Sequence, residues 1–299
     1  MNESLFHMHR FRAAPWLAAV ALVATACATS TTLNTLPPEG ADTTSATVAN
    51  PGGINVTGST PSIQDSTTTS LAGGTFTPHP VAVEEPESEE LTITTDDGLD
   101  LYAKIYRGGP TAVLYTHHFQ TTRSGPQSSD TTAPMSWTLA DAGYTVLTGD
   151  FRGHGQNEGD DNVNDSKADI RAFYEYLVGE GYETIVSFAV WGSGPVVVNV
   201  DANDDGIDFD GIALLFPSLA RNGNDLITDL PGIDVPVWIV HLDVGSSGGI
   251  PTRLRPHVPD LYDAFAYPSF GSGLTFLDVY GEEHAGRMIA FLAHIEANA

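Results

Sequence analysis

Leu139-Ala-Asp-Ala-Gly-Tyr-Thr-Val-Leu-Thr-Gly-Asp150-Phe-Arg-Gly-His-Gly155 decides how the rest of this chain is read. It leaves a short helical stretch, Pro134 to Ala142, enters an apolar strand, Tyr144 to Gly149, and ends in a loop punctuated by glycine. A helix feeding a buried strand that opens into such a loop is one unit of alternating α/β structure. Upstream, Leu91 to Thr95 and Leu99 to Tyr106 flank Asp96-Asp97-Gly98, a hairpin signal, and Ala112 to Thr116 is a continuous apolar strand. Downstream, Lys167 to Gly179 is helical, with Ile170, Phe173, Tyr174 and Leu177 on one face. Ile185 to Val190, Gly211 to Phe216, Val235 to His241 and Leu274 to Tyr280 read as strands, and Ala285 to Ala297 as a closing helix. The sum is an α/β fold: about eight strands in a mostly parallel sheet with helices on both faces.

Ile185-Val-Ser-Phe-Ala-Val-Trp-Gly-Ser-Gly194 lies where a strand turns sharply into a helix. In such an elbow the apex residue is held in a strained conformation. The positions two before and two after it must be small, because strand and helix backbones nearly touch there. Centring on Trp191 places Ala189 and Ser193 at the crowded positions; centring on Ser193 places Trp191 and Pro195 there, and both are bulky. Sterics therefore put Trp191 at the apex, and an indole cannot attack a carbonyl.

On these stretches the chain resembles the α/β-hydrolase superfamily from about residue 90 to 298. Leu139 to Gly155 is similar to the family's helix, fourth strand and following loop. Tyr115-Thr-His-His-Phe119 is similar to its strand-three turn, with His118 in place of a glycine and Asn157 in place of a serine further on. Only 18 residues, Pro217 to Asp234, separate the sixth and seventh expected strands, which implies a minimal member without a cap domain. The resemblance also implies a nucleophile, an acid and a histidine in that chain order. Its catalytic set here would be Ser193, Asp243 and His284, the histidine in the loop that follows the last strand, Leu274 to Tyr280, with the oxyanion held by backbone N–H groups near Phe119 and Gly194. Two functions follow. One is a non-hydrolytic binding or envelope-associated module whose nucleophile elbow has degraded around Trp191. The alternative is a serine ester hydrolase, esterase-like or lipase-like, using Ser193, Asp243 and His284. Either would take a small molecule in the crevice at the top of the sheet.

Residues 1–27 read as a signal peptide, with Arg10 and Arg12 preceding an apolar run from Ala13 to Ala26. Cys27, the only cysteine, closes a segment resembling a bacterial lipobox, which implies lipidation at Cys27 and a membrane partner reached through that N-terminal lipid. An ordinary signal cut near Ala26 or Ala28 is the other reading. Residues 28–89 are crowded with Thr, Ser, Pro and Gly and read as a disordered tether, leaving 90–299 as the hydrolase-like domain. The expected location is extracytoplasmic, lipid-anchored at the cell membrane or cell surface.

Acidic side chains outnumber basic ones by 38 to 12, a net charge of -26, which excludes nucleic acid as a partner bound through a basic face. An acidic surface of this density suits salty water or cations. Asp201, Asn203 and Asp205, with Gly206 sixth and the Ile207 carbonyl seventh, match the front half of a calcium loop. The twelfth position is Ile212, with Asp208 or Asp210 as substitutes, so an acidic turn without calcium is the competing account. No cofactor is required by either function, and no dinucleotide fingerprint or phosphate loop is present.

Overall fold

Eight strands hydrogen-bond into one sheet, labelled here in chain order: β1 (Glu89–Thr94), β2 (Asp100–Tyr106), β3 (Thr111–Thr116), β4 (Thr145–Gly149), β5 (Thr184–Val190), β6 (Gly211–Leu215), β7 (Val237–Asp243) and β8 (Leu261–Pro268). Across the sheet they run β8-β7-β6-β5-β3-β4-β2-β1, so β8 and β1 are its two edges. β2 pairs antiparallel with both neighbours, and every other pairing is parallel. This computed structural model describes residues 69–71, 74–117, 132–160, 163–204, 206–221, 223–243, 249–269 and 276–299. All belong to one compact unit, Ser62–Ala299. The expected signal segment, Cys27 and residues 28–68 of the expected tether lie outside the described residues.

The helices are α1 (Thr132–Asp141), α2 (Val163–Gly179), α3 (Ser193–Asn203), α4 (Leu226–Asp229), α5 (Ile250–Leu254) and α6 (Phe276–Asn298). Two apolar cores explain why they divide between the faces of the sheet. On one face Ile170, Phe173 and Leu177 of α2 and Val196 to Val198 of α3 pack on Leu114, Leu147 and Ile239. On the other, Met135 and Leu139 of α1 and Met288, Phe291 and Leu292 of α6 pack on Val113, Val146, Phe188 and Trp238. Strands covered on both sides have to be apolar throughout, and β3, β4 and β6 are buried at every position. The valines of α3 show burial overriding a weak helix propensity. Among the described residues no helix is long and apolar enough to cross a membrane.

Two expectations from sequence change. Leu274 to Tyr280 is not the eighth strand: its Phe276–Tyr280 part opens α6, and the eighth strand is the earlier Leu261–Pro268. Gly281, expected in the loop before His284, lies inside α6, where a strap from the N-terminal side leaves no room for a side chain. A Cβ there would come within 2.9 Å of Val81 Cγ2, and one on Gly286 within 2.1 Å of the Thr77 carbonyl oxygen. The same strap, inside the expected tether, donates from His79 N to Glu282 O at 3.0 Å and from Ala82 N to Thr138 Oγ1 at 2.9 Å. It also buries Phe76, over whose ring the Arg287 guanidinium lies 4.4 Å from the centroid.

Candidate functional site

Parallel strands collect their C-terminal ends along one rim, where open α/β sheets place ligands. The register aligns Val190 of β5 with Leu215 of β6, and Leu215 with Val240 of β7. One residue further on, Trp191, Phe216 and His241 therefore follow one another along that rim. Thr116 of β3 faces Gly149 of β4 and Ala189 of β5, which brings His117 beside Asp150.

Trp191 has φ 56 and Phe216 has φ 54, the only non-glycine residues with positive φ among those described. A left-handed conformation costs a residue with a Cβ about 1–2 kcal/mol, so it persists only where neighbours fix it. Here the Trp191 N–H donates to Leu215 O at 2.9 Å, and the Trp191 carbonyl accepts the N–H groups of Gly194 and Ser218, both at 3.3 Å. Trp191 thus occupies the elbow apex, as the small residues around it require, with its side chain 50 % exposed. Phe216 is a strained rim position with no mark in the sequence, since nothing in Leu-Leu-Phe-Pro calls for a positive φ.

Ser193 is the first residue of α3 and is 0 % exposed. Its Oγ donates to Val190 O at 2.8 Å and accepts the Thr116 Oγ1 proton at 3.0 Å, so the hydroxyl faces the strand beneath it. The Gly194 N–H is held within the turn by Trp191 O. Phe119, the other expected oxyanion position, lies outside the described residues.

His284 lies inside α6, not in a loop, because β8 is earlier in the chain than the sequence suggested. Eight residues from the start of α6, at 1.5 Å per residue, place it about 12 Å along that helix. Its ring is 1 % exposed and enclosed by Phe216, Trp238, Tyr267 and Phe276 at centroid distances of 6.0, 5.6, 5.9 and 5.2 Å. Burial pushes its pKa down to about 3, with nearby Arg287 adding to the effect. Its Nδ1 lies 3.4 Å from the Tyr267 hydroxyl. The segment joining β8 to α6 runs Ser269-Phe-Gly-Ser-Gly-Leu-Thr275 and holds no imidazole. Asp243 ends β7 with its side chain exposed. Ser193 and His284 thus belong to helices on opposite faces of the sheet, and neither hydrogen-bonds to the other.

Under the rim lies a buried polar group that the sequence did not single out. Asp150 is fully buried, and neither carboxyl oxygen finds a hydrogen-bond partner of good geometry. Burial raises its pKa to about 7, offset in part by the backbone N–H of Gln156. His117 Nε2 is 3.8 Å from Asp150 Oδ1 and accepts the Phe151 N–H at 3.1 Å, which leaves the ring proton on Nδ1. Gly155, at φ 54, lets the loop fold over this carboxyl, where a Cβ would stand 1.6 Å from Oδ2. Arg152 anchors the loop from the other side, through Asp97 of the hairpin turn and Asp169 of α2, both at 2.8 Å. Asn157 donates to the Asp150 carbonyl and accepts the Tyr102 N–H at 2.6 Å.

The described residues of the expected calcium loop have protein partners of their own or are buried. Asp201 lies within α3 and accepts the Phe209 N–H at 3.0 Å, while Asn203 donates to Asn199 O at 2.9 Å. Asp204 is taken by Arg171, and Ile207 is buried. Asp205 lies outside the described residues. Among the described residues no group of three or more His, Cys, Asp or Glu could hold a metal ion.

No family model matches this chain, and no curated protein does. Solved structures do. The Pyrococcus furiosus esterase Pf2001 is 17% identical with a TM-score of 0.57, covering 73% of this chain and 97% of that one. Est1E from Butyrivibrio proteoclasticus, solved with ferulic acid, is 15% identical with a TM-score of 0.53, covering 67% of this chain and 97% of that one. The α/β hydrolase GrgF from Penicillium is 12% identical with a TM-score of 0.57, over 71% of this chain and 100% of that one. Identities this low speak for backbone architecture alone. Together with the strand order, the single reversed strand and the helices on both faces, they give this chain the α/β-hydrolase fold.

Proposed function

We propose that this α/β-hydrolase-fold domain binds a small molecule in the crevice above its strand ends and does not hydrolyse esters. The observation that carries the reading is the φ of Trp191: the apex of the elbow, where a serine would stand, presents an indole. Ser193 faces inward on Thr116 and Val190, and His284 lies within an aromatic box. The rival reading is a serine ester hydrolase built on Ser193, Asp243 and His284. Fold likeness, taken alone, favours it over a non-hydrolytic module, because esterases stand among the similar structures. What weighs against it is local: an acyl enzyme needs a nucleophile and base within bonding reach, on an exposed turn.

Incubation of the full chain with short-chain p-nitrophenyl esters and a fluorophosphonate probe, beside Ser193→Ala and His284→Ala, separates the two. The proposal expects no labelling above that of the heat-denatured protein. Labelling of the wild type that the serine substitution abolishes would establish the hydrolase instead. The proposed setting is the outer side of a membrane, held through lipid on Cys27; incorporation of labelled palmitate that is lost in Cys27→Ser tests it.

A further inference from the structure

The carboxyl of Asp150, just past the end of β4, is fully buried, and neither of its oxygens has a hydrogen-bond partner of good geometry. A buried polar group in that state needs a physical explanation, because its lost hydration is uncompensated. Among the described residues, the titratable and charged side chains around it are committed elsewhere. From the end of β3, His117 Nε2 lies 3.8 Å from Oδ1 but accepts the Phe151 N–H at 3.1 Å, so it has no proton to offer the carboxyl. From β2, the Tyr102 hydroxyl bonds to Glu90. Within the loop itself, His154 Nδ1 lies 2.9 Å from Arg152 O, and the Arg152 guanidinium is shared between Asp97 of the hairpin turn and Asp169 of α2. A carboxylate at this point would be a charge without a counter-charge, whereas a carboxylic acid is tolerated.

The cover over this carboxyl is a single layer of backbone. Gly155, at φ 54, sits directly on it, where a Cβ would run into Oδ2, and Gly155 is itself only half-buried while Gln156 is exposed. The loop is pinned at both ends. Arg152 donates from its backbone N–H and from Nε to the Asp169 carboxylate at 2.9 and 2.8 Å, and Asn157 bridges the Asp150 carbonyl and the Tyr102 N–H. Between those anchors residues 153–156 carry turn hydrogen bonds, Gly153 N–H to Glu158 O at 3.1 Å and His154 N–H to Phe151 O at 3.0 Å, and Gly153 also has a positive φ, 72. A short span between fixed anchors, with glycine at both bends, lifts without unfolding the strand beneath it.

We propose that Gly153 to Gln156 is a flap gated by the Asp150 proton: it closes over the carboxylic acid and lifts when the proton passes to water, leaving an anionic group at the rim beside His117. The flap works in the same way whatever Trp191 does at the elbow. Its direction follows from burial, which raises the carboxyl from 3.8 to about 7 in the closed state. Closure is therefore complete below pH 3.8, weakens about tenfold for each unit up to about pH 7, and levels off above it.

Hydrogen–deuterium exchange of the full chain between about pH 4 and pH 8, divided by the intrinsic exchange rate at each pH, tests this, with α2 as the measure of global opening. Protection of Gly155 and Gln156 should fall about tenfold per unit up to about pH 7, and that of α2 should not follow. Asp150→Asn, neutral at every pH, should keep the low-pH protection throughout. Gly155→Ala, which has no room to close on the carboxyl, should exchange at the open-flap rate at every pH, so the test stands even if the Asn variant fails to fold. His117→Gln, whose amide oxygen is able to accept the Phe151 N–H, should keep the wild-type dependence. Protection in the wild type that is flat with pH, or that falls in step with α2, would overturn the proposal. So would a dependence that survives in Asp150→Asn or Gly155→Ala, or one that is lost in His117→Gln, which would assign the proton to the imidazole.

Discussion

Thr116 donates its hydroxyl proton to Ser193 Oγ at 3.0 Å, and Ser193 in turn donates to the carbonyl of Val190 at 2.8 Å, so the serine stitches the end of β3 to the last residue of β5. A hydroxyl used in this way is structural. Ser193→Ala leaves Thr116 with only its longer 3.4 Å contact to Phe188 O, and should lower unfolding free energy by about 1–2 kcal/mol in urea titrations. It should leave ligand binding at the rim intact.

Restoring a serine at the apex should not restore catalysis. Trp191→Ser puts a hydroxyl on the exposed turn, but the segment from Ser269 to Thr275 offers no imidazole to take its proton. Fluorophosphonate labelling of this variant is expected to match that of the wild type. Rapid labelling would mean that His241, two strands along the rim, or His284 from within α6 comes within bonding reach of the apex in solution.

Two buried groups pull stability in opposite directions with pH. Asp150 has its pKa raised from 3.8 to about 7 by burial, so its contribution is complete below pH 3.8 and is lost as pH climbs through 7. His284 is lowered from 6.5 to about 3, so its contribution is complete above pH 6.5 and is lost as pH falls towards 3. In the wild type the slopes largely offset each other between pH 4 and pH 6.5. Because burial also raises Asp201, to about 6, each effect is read as a difference from the wild type: Asp150→Asn should make stability rise with pH more steeply than in the wild type, by about 1.4 kcal/mol per unit at most. His284→Phe should shift the slope in the opposite direction from the wild type's. Thermal denaturation of both variants across this range checks the signs.

The N-terminal strap should be releasable by one methyl group. Gly286→Ala drives a Cβ towards the carbonyl of Thr77, a backbone atom unable to step aside without moving the strap. The expected cost is about 1–3 kcal/mol. Limited proteolysis should then cut within residues 77–88 faster than in the wild type, while the fragment beginning near Glu89 stays folded.

Leu139 to Gly155 carried the fold because both levels of its pattern agree: the apolar strand is buried on both faces, and the loop glycine meets a carboxyl that leaves no room for a side chain. The elbow was legible for the same reason, since crowding at Ala189 and Ser193 is a local property of the chain. Leu274 to Tyr280 has strand character locally in its aromatic and β-branched residues, while the strap that packs on Gly281 and Gly286 of α6 lies some two hundred residues away in sequence. The true β8, Leu261 to Pro268, was hidden by Asp263, a carboxylate buried in a strand, which is tolerated because the Ala264 N–H at 2.8 Å and the Arg287 guanidinium at 3.9 Å stand beside it. Misplacing β8 moved His284 into a loop it does not occupy. The orphaned carboxyl of Asp150 could not be read at all, since nothing in sequence tells a buried aspartate from an exposed one.

The Glu89–Arg107 pair has a consequence for how the molecule behaves in a crowded solution. It sets exposed, opposite charges on the β1 margin of the sheet. A margin so defended is a poor template for another chain to zip onto. Concentrated samples should therefore stay clear for longer than those of a Glu89→Val, Arg107→Val variant, whose fibrillar deposits should begin from that margin.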